Sequence, residues 1–268
     1  MDKKKIFRII KWSLFTYALV GIVLFYLQNY FLFRPEPLPA YYNYKFRQPF
    51  KELWLPYNDN ARISIVQFTT KDTCKGVVLY FHGNRTNINR YADASALFTE
   101  KGYEVWMIDY PGYGKSTGPH TEQMFYEWAL QLYKLARARF EPAQITLYGR
   151  SLGTGIAAQL ASIRDCNRLI LETPYYTLPS IIGNYAPIYP VERMIHFKIP
   201  TWKYLQDVTA PVLILHGTND WTIPLRNAEK LKPFLKKNDQ FKIIEGGHHN
   251  DLWNFEETKK LILGFLPE

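Results

Sequence analysis

Residues 145–158 read ITLYGRSLGTGIAA. The β-rich run 145–148 leads into a G-x-S-x-G motif centred on Ser151, and small residues typical of a closely packed helix follow. Glycines on both sides of the serine let it occupy a strained turn between strand and helix, where any Cβ would crowd its neighbours. The stretch therefore predicts a nucleophilic serine at the end of a strand. The alternative is a glycine-rich turn with a helix-capping serine.

Short β-rich runs and helical patterns alternate on both sides of this motif. We predict an opening antiparallel hairpin from residues 53–57 and 63–68. The predicted parallel strands are residues 77–81, 104–108, 145–148, 169–171, 212–215 and 241–244. Helices are expected at residues 88–101, around 125–135, after Gly153 and at 254–265. This order is typical of an α/β protein with a mostly parallel sheet and helices on both faces.

The connection 173–210 interrupts this alternation and is rich in Pro, Tyr and Ile. A connection of this length is usually functional or separately structured, so we expect a small cap above the site. The catalytic domain is predicted to span residues 45–268. Its apolar cap favours a substrate with an apolar acyl group, although the same side chains could simply pack on the sheet.

The N-terminal region has the composition of a membrane anchor. Residues 12–33 form a mostly apolar run of about 22 positions, which as a helix crosses roughly 30 Å of hydrocarbon. We therefore expect an anchor at residues 1–33 and a proline-rich linker at 34–44. The alternative is a cleaved signal peptide, but the apolar stretch is longer than usual and no A-x-A-like site follows it.

Basic residues precede the apolar run. They are Lys3, Lys4, Lys5, Arg8 and Lys11. The positive-inside tendency then predicts a single-pass protein with a cytoplasmic N-terminus and an extracytoplasmic catalytic domain.

Charge and cysteine content exclude other classes of protein. The formal net charge is +9, and the first 33 residues, with five basic residues and one acidic residue, supply +4 of it. The remainder is modest, so we expect no nucleic-acid partner. Cys74 and Cys166 are the two cysteines, too few for a disulfide scaffold or a Cys-rich zinc site. No metal or cofactor is expected.

Two later segments carry the groups that a nucleophilic serine requires. A serine hydroxyl needs a base within hydrogen-bond reach and an acid that orients the base. Residues 216–220, HGTND, follow a buried strand and place Asp220 at its end, although an ordinary Asn-Asp turn reads the same way. Residues 245–251, EGGHHND, follow the last strand and offer His248 and His249. Only one of these histidines can face Ser151.

An oxyanion hole is expected from backbone N–H groups. One donor is Leu152, directly after the serine, and the other is Asn84, in the loop FHGNR at residues 81–85. The alternative for this loop is a tight turn without a catalytic role. His82 and His216 precede glycines at strand ends, where structural hydrogen bonds are the expected role.

Four motifs together resemble the α/β-hydrolase superfamily, and within it the serine-aminopeptidase-like group that includes membrane-associated protein depalmitoylases and fungal Bem46-type proteins. The motifs are FHGN at 81–84, DYPGYGKS at 109–116, YGRSLG at 148–153 and HGTND at 216–220. That group often ends its last loop with Gly-His-Asn-Asp. Because this chain has HHND at 248–251, the resemblance selects His249 as the base and puts His248 where glycine is usual.

The resemblance also implies a strand order in which the strand at residue 145 lies between those at 77 and 169. Cys74 and Cys166 would then be about two strand spacings of 4.8 Å apart. Because Cα atoms beyond about 7 Å cannot be bridged, we predict free thiols.

These residues predict a serine hydrolase that acts on carboxylic esters or thioesters with an apolar acyl group, through Ser151, His249 and Asp220. The expected partners are a small or lipid-like acyl substrate and the membrane that holds the N-terminal helix. A serine peptidase of aminopeptidase type is one alternative. A non-catalytic, membrane-anchored binding protein that keeps the same fold is another.

Overall fold

The computed structural model describes residues 2–71 and 73–267. Its helices, in chain order, are α1 (Lys3–Tyr26), α2 (Gln28–Leu32), α3 (Ser95–Thr99), α4 (Glu122–Arg137), α5 (Leu152–Ile163), α6 (Leu178–Tyr185), α7 (Val191–Met194), α8 (Thr201–Leu205), α9 (Leu225–Ala228) and α10 (Glu256–Phe265). The strands are β1 (Arg34–Pro35), β2 (Phe50–Asn58), β3 (Ala61–Phe68), β4 (Gly76–Phe81), β5 (Arg85–Thr86), β6 (Tyr103–Ile108), β7 (Ile145–Arg150), β8 (Arg168–Glu172), β9 (Val212–Gly217) and β10 (Gln240–Ile244).

In the described part of the chain, eight strands form one sheet in the order β10-β9-β8-β7-β4-β6-β3-β2. β2 and β3 form the expected antiparallel hairpin, β3 pairs antiparallel with β6, and the remaining neighbours are parallel. The mostly parallel α/β sheet is therefore confirmed. β7 lies between β4 and β8, as the resemblance implied, and both Cys74 and Cys166 are free thiols.

Helices cover both faces of the sheet because the central strands are apolar on both sides. Along β4, Val77 and Leu79 belong to a core that contains α4 and α5 side chains such as Trp128. The intervening Val78 belongs to the opposite core, which contains Phe98 of α3 and side chains of α10. Two buried layers thus fix the sheet, and the carboxyl ends of its parallel strands carry the site.

Two expected helices are shorter than the sequence indicated. In the predicted helix 88–101, only α3 is α-helical, and 3₁₀ turns at Ile88–Arg90 and Ala92–Ala94 precede it. The first of these turns is tight because Asn87 accepts a hydrogen bond from the N–H of Asn89. The last helix begins at Glu256 instead of residue 254, after another 3₁₀ turn.

The N-terminal helix has different bounds from the expected run at residues 12–33. α1 includes the basic residues, and the Asp2 side chain caps it by accepting from the N–H of Lys4. It ends at Tyr26, and the last part of the expected run folds onto the domain, with Gln28 and Phe33 buried. α1 itself buries no residue and, among the described helices, is the one long and apolar enough to cross a membrane.

The proline-rich segment 34–44 packs against the domain. Its prolines prevent a helix, but its backbone groups find partners: β1 pairs in parallel with β5, and the N–H of Leu38 donates to Gly114. Tyr44 is buried and donates to Asp109. Packing thus begins well before residue 45, the expected start of the domain. The division into anchor, linker and catalytic domain stays a prediction.

The segment between β8 and β9 contains α6, α7 and α8, and corresponds to the expected cap. Its second half enters the core, since Phe197 and Ile199 are buried beside Phe33 and α5. Its first half is more exposed, with Tyr185 and Ile188 on the surface. The second half of the cap is thus packed into the core, and its first half lies on the surface near the carboxyl ends of the strands.

We expect Phe33→Ala to lower the free energy of unfolding by about 3–5 kcal/mol, because it removes a fully buried aromatic side chain. The Phe33 ring lies 4.5 Å from His120 and 4.6 Å from Phe197, centroid to centroid. Urea unfolding of the detergent-solubilised chain measures the effect. Tyr41→Ala, at an exposed position of the same segment, is the control and should change stability by less than about 0.5 kcal/mol. Equal effects would show that the segment does not belong to the core.

Candidate active site

Ser151 occupies a strained turn between β7 and α5. Its φ of 50° and ψ of −116° lie in a region that residues other than glycine rarely adopt. A Cβ at Gly149 would collide with the carbonyl of Gly153, and one at Gly153 would collide with the carbonyl of Phe81. Both flanking glycines are therefore required by close backbone packing.

A chain of hydrogen bonds joins three side chains that the sequence separates widely. Ser151 Oγ lies 2.9 Å from His249 Nε2, and His249 Nδ1 lies 2.7 Å from Asp220 Oδ2. With the Nδ1–H donating to Asp220, Nε2 is left to accept the hydroxyl hydrogen of Ser151. The imidazole is thus oriented to receive a proton from the serine.

The Asp220 carboxylate is buried but has several hydrogen-bond donors. Its Oδ1 accepts from the backbone N–H groups of Thr222 at 2.9 Å and Ile223 at 2.8 Å. His216 Nε2 lies 3.4 Å from Oδ2 and donates to the Ile223 carbonyl at 2.8 Å, a structural role as expected. Burial lowers the pKa of His216, so this ring stays neutral near pH 7. Of the two histidines beside Asp220, His249 is therefore the one whose positively charged form the carboxylate would stabilise.

The two adjacent histidines have different surroundings. His248 is exposed, and its backbone N–H donates to Asp251 Oδ1 at 2.6 Å, whereas His249 turns inward to Ser151. The loop after β10 is held by the loop after β9: the N–H of Asn219 donates to the carbonyl of Gly247 at 2.9 Å. This backbone pairing places one histidine inward and the other outward.

A buried network that sequence reasoning missed connects the serine turn to the histidine loop. Glu172, at the end of β8, is fully buried and lies 3.3 Å from Arg150 Nε. It also accepts from the Tyr148 hydroxyl at 2.6 Å and from Trp253 Nε1 at 2.9 Å. Arg150 donates in turn to the Asn250 carbonyl at 3.1 Å, next to His249. Two features of the sequence could have indicated this network: Arg150 directly precedes the serine, and Glu172 ends the next strand.

The assignment of the oxyanion donors to Leu152 and Asn84 stays a prediction, and the structure places both residues near Ser151. Leu152 is the first residue of α5, so its N–H has no acceptor within the helix. Gly83 precedes Asn84 and passes so close that an added Cβ would lie 3.6 Å from Ser151 Cβ. Asn84 and Leu152 line the same cavity as Ser151.

Asn84 is held from the opposite side by the segment after α1. Its side-chain Nδ2 donates to the Leu32 carbonyl at 2.6 Å, and its own carbonyl accepts from the N–H of Arg34 at 3.1 Å and the Tyr113 hydroxyl at 3.0 Å. The side chain therefore points away from Ser151, which leaves only the backbone of Asn84 for an oxyanion role.

His82 has a structural role, as expected. Its Nδ1 lies 2.7 Å from the Gly83 carbonyl, and its Nε2 lies 3.4 Å from the buried Asp109. Asp109 also accepts from the Ile88 N–H at 2.9 Å. The loop that begins at Asp109 thus braces the loop that contains Asn84.

A cavity of about 750 Å³ opens above Ser151, a size within the usual range for ligand sites, roughly 300–1,000 Å³. Apolar side chains from α1, α2 and the cap make most of its wall; among them are Leu24, Phe31, Leu178, Ile181, Ile182 and Ile188. Three arginines, Arg34, Arg85 and Arg150, also line it, whereas the described lining contains no Asp or Glu. Within residues 2–71 and 73–267, no cluster of His, Cys, Asp and Glu suited to a metal ion is found.

Comparisons with known proteins agree with the fold. The model of the serine aminopeptidase S33 family matches residues 72–204. An esterase of Pyrococcus furiosus superposes with a TM-score of 0.69 at 16% identity, over 87% of this chain and 97% of that one. The chain belongs to the α/β-hydrolase superfamily. A Thermoplasma acidophilum hydrolase shares the fold of this α/β-hydrolase with a TM-score of 0.60 at 18% identity, over 81% of this chain and 98% of that one.

Curated relatives of this α/β-hydrolase include alpha/beta hydrolase domain-containing protein 17C of Xenopus tropicalis, which is 29% identical over 71% of this chain. Human protein ABHD12B is 29% identical over 58% of the chain, and an uncharacterized Mycobacterium tuberculosis protein is 28% identical over 65%. The matched segments cover 62%, 48% and 63% of these relatives, less than two thirds of each. With the family match, they confirm the serine-aminopeptidase-like group.

We expect Ser151→Gly to be more stable than Ser151→Ala by about 1 kcal/mol, because only glycine relieves the strain of a positive φ. Both variants lack the hydroxyl, so the comparison isolates the backbone. Urea unfolding of the two proteins measures the difference.

The same pair of substitutions at Ser162, inside α5, is the control. There glycine should be less stable than alanine, by up to about 1 kcal/mol, because Ser162 has helical conformation near the end of α5. Equal or lower stability of Ser151→Gly would contradict a strained turn.

Proposed function

We propose that this α/β-hydrolase is a membrane-anchored serine hydrolase that cleaves carboxylic esters or thioesters with an apolar acyl group. The observation that carries the proposal is the hydrogen-bonded chain from Ser151 through His249 to Asp220, at a strained turn that faces an apolar cavity. A serine held in this way is what nucleophilic acyl transfer requires.

In the first half of the reaction, His249 Nε2 takes the proton of Ser151 as Oγ attacks the substrate carbonyl carbon. The carbonyl oxygen becomes an oxyanion that accepts hydrogen bonds from the N–H groups of Leu152 and Asn84. The bond to the leaving alcohol or thiol then breaks, and the leaving group takes the proton from His249. The acyl group stays on Ser151 as an ester.

In the second half, a water molecule gives a proton to His249, and the oxygen of this water attacks the acyl carbon. The bond to Ser151 breaks, Ser151 recovers its proton, and the carboxylic acid is released. Asp220 keeps the imidazole in position and stabilises its positive charge without itself taking the proton. Water is the only co-reactant, and nothing is oxidised or reduced.

The cavity wall favours an ester over the main alternative, an aminopeptidase substrate. The family description supports that alternative, but an aminopeptidase must bind a free, positively charged amino group. The described lining offers three arginines and no carboxylate from Asp or Glu, so it would repel such a group. The apolar cap side chains would instead bury an acyl chain.

α1 is proposed to be a transmembrane anchor with a cytoplasmic N-terminus and an extracytoplasmic catalytic domain. Its length, its exposed apolar surface and the basic residues at its start support this orientation. A cleaved signal sequence would have the same composition. Contacts between α1 and the cap, such as the Tyr17 hydroxyl donating to the Ile188 carbonyl, favour a retained helix.

We expect a fluorophosphonate probe to label the full-length protein at Ser151. Labelling should be lost in Ser151→Ala and slowed by about 10⁴-fold or more in His249→Ala, because the hydroxyl is a weak nucleophile without its base. Mass spectrometry of the labelled peptide and gel fluorescence measure both effects.

His248→Ala is the matched control and should label nearly as fast as the unmodified protein, since its neighbour His249 holds the contact with Ser151. Labelling that persists in Ser151→Ala would refute the nucleophile. A folded protein that never labels would favour the non-catalytic binding protein.

We expect kcat/KM on p-nitrophenyl esters to rise with acyl length, by up to about fourfold per methylene buried in the cavity. Acyl thioesters of matched length decide between the two bond types, and aminoacyl anilides should be the slowest substrates. A series that does not depend on chain length, or fastest cleavage of the anilides, would contradict the proposed substrate class.

A further inference from the structure

One face of α1 docks on the cap. The ring of Tyr17 stacks on that of Tyr189 with centroids 4.7 Å apart and planes 5° from parallel. Each tyrosine hydroxyl donates to the partner segment: Tyr17 to the Ile188 carbonyl at 3.0 Å, and Tyr189 to the Tyr17 carbonyl at 3.1 Å. Gly21, one turn further, allows close approach, since an added Cβ would lie 3.1 Å from the Tyr189 ring.

The contact continues past the end of α1 into α2. Gln28 Nε2 donates to the Met194 carbonyl at 3.2 Å, and Gln28 Oε1 accepts from the N–H of His196 at 2.6 Å. Residues 17, 21 and 28 share one helical face, apart from the short break at Leu27. The docked face therefore runs from the middle of α1 to the start of the domain.

This docking sets the depth of the cap. Tyr17 lies nine residues before Tyr26, the last residue of α1, and nine residues of helix rise about 14 Å. The hydrocarbon core is roughly 30 Å thick. If α1 spans the bilayer, the cap residues in contact with Tyr17 lie inside it.

The segment that reaches this depth, residues 185–189, is suited to an apolar surrounding, and we name it the cap tip. Its Tyr185 and Ile188 are 67% and 70% exposed although both are large and apolar. Pro187 has no N–H, and the N–H groups of Ala186 and Tyr189 donate to backbone carbonyls. Few backbone donors are thus left without a partner, as a lipid environment requires.

The cavity above Ser151 has its outer wall in the same place. Leu24 of α1, Phe31 of α2 and the whole cap tip line it together with Ser151 and His249. Trp221, in the loop after Asp220, is 82% exposed, and its carbonyl accepts from the Tyr185 hydroxyl. Exposed aromatic side chains of this kind are typical of the membrane interface.

We propose that the cap tip is inserted in the bilayer and that acyl substrates pass from the lipid directly into the cavity, whose outer wall the cap tip forms together with α1 and α2. This route rests on the proposed hydrolase function, and it identifies the substrate as a lipid-borne acyl ester or thioester. α1 then has two roles: it anchors the domain and forms a wall of the acyl site.

The first experiment measures insertion without reference to activity. The full-length protein, with Cys74→Ser and Cys166→Ser, receives a single bimane-labelled cysteine at Ile188→Cys and is reconstituted in phosphatidylcholine vesicles. Lipids brominated midway along the acyl chain should quench the label strongly. Ile22→Cys on the exposed face of α1 is the positive control, and Ile163→Cys, an exposed isoleucine at the end of α5, is the negative control.

Quenching at 22 without quenching at 188 would overturn the inserted cap tip while keeping α1 in the membrane. Quenching at neither position would overturn the proposal at its base. Quenching at 163 equal to that at 188 would show adsorption without a defined depth, which also contradicts it.

The second experiment compares hydrolysis of a long-chain ester held in vesicles with hydrolysis of the same ester in detergent micelles, where no bilayer is present. We expect the ratio of the two rates to fall about tenfold in Ile188→Glu, because a charge at that depth is unfavourable in hydrocarbon. Because the ester is the same in both media, changes in catalysis and in acyl binding to the cavity wall divide out of the ratio. Ile163→Glu should leave the ratio unchanged, and Pro187→Glu provides a second exposed cap-tip variant should the first fail to fold.

An unchanged ratio in both cap-tip variants would overturn the lateral route while leaving the hydrolase function intact. No hydrolysis of the ester by the unmodified protein in either medium would refute the proposed function, and with it the substrate route. The quenching result would stand independently, so the two failures are distinguishable.

Discussion

The backbone crowding around Ser151 is the constraint on which the site depends. A positive φ at a serine is unfavourable, and it persists only where the surroundings allow no relaxed conformation. Here β7 enters the turn with Gly149 against the start of α5, while Gly153 packs α5 against the end of β4. The same close approach that forces the strain also holds Leu152 N–H beside the serine, so the proposed nucleophile and the proposed oxyanion donor are positioned by the same contacts.

The histidine is positioned by a second set of contacts, mostly between backbone groups of neighbouring loops. Asn219 joins Gly247 directly, and Asp220 is fixed by two backbone N–H groups as well as by His249. Buried Glu172 adds a polar connection through Arg150 to Asn250. A buried carboxylate is unfavourable without partners, and the partners of Glu172 connect the serine turn to the histidine loop.

The N-terminal segment also contacts the loops around the site. Leu32 and Arg34 hold Asn84 from behind, β1 pairs with β5, and Phe33 enters the core beside the cap. α1 is therefore connected to the loop that contains Asn84 through only a few residues. With α1 as the proposed anchor, this short connection would restrict the orientation of the site relative to the lipid more than a free linker would.

The sequence alone determined the parallel α/β sheet, the hairpin, the G-x-S-x-G turn and an apolar N-terminal helix, because these follow from local periodicity and from glycines at fixed spacing. Local signals also placed Asp220 and the pair His248 and His249 at strand ends. Local signals could not show which of the two histidines contacts Ser151, because that contact depends on backbone pairing between the loops after β9 and β10.

Only the tertiary structure decided the features made by residues distant in the chain. The network around Glu172, the brace on Asn84 and the contact of Tyr17 with Tyr189 join segments up to 172 residues apart, and no local pattern records such contacts. For the same reason, the apolar run at 12–33 did not show where α1 ends. Hydrophobicity predicts that a side chain is removed from water, and the Phe33 side chain is removed from water by burial in the protein core.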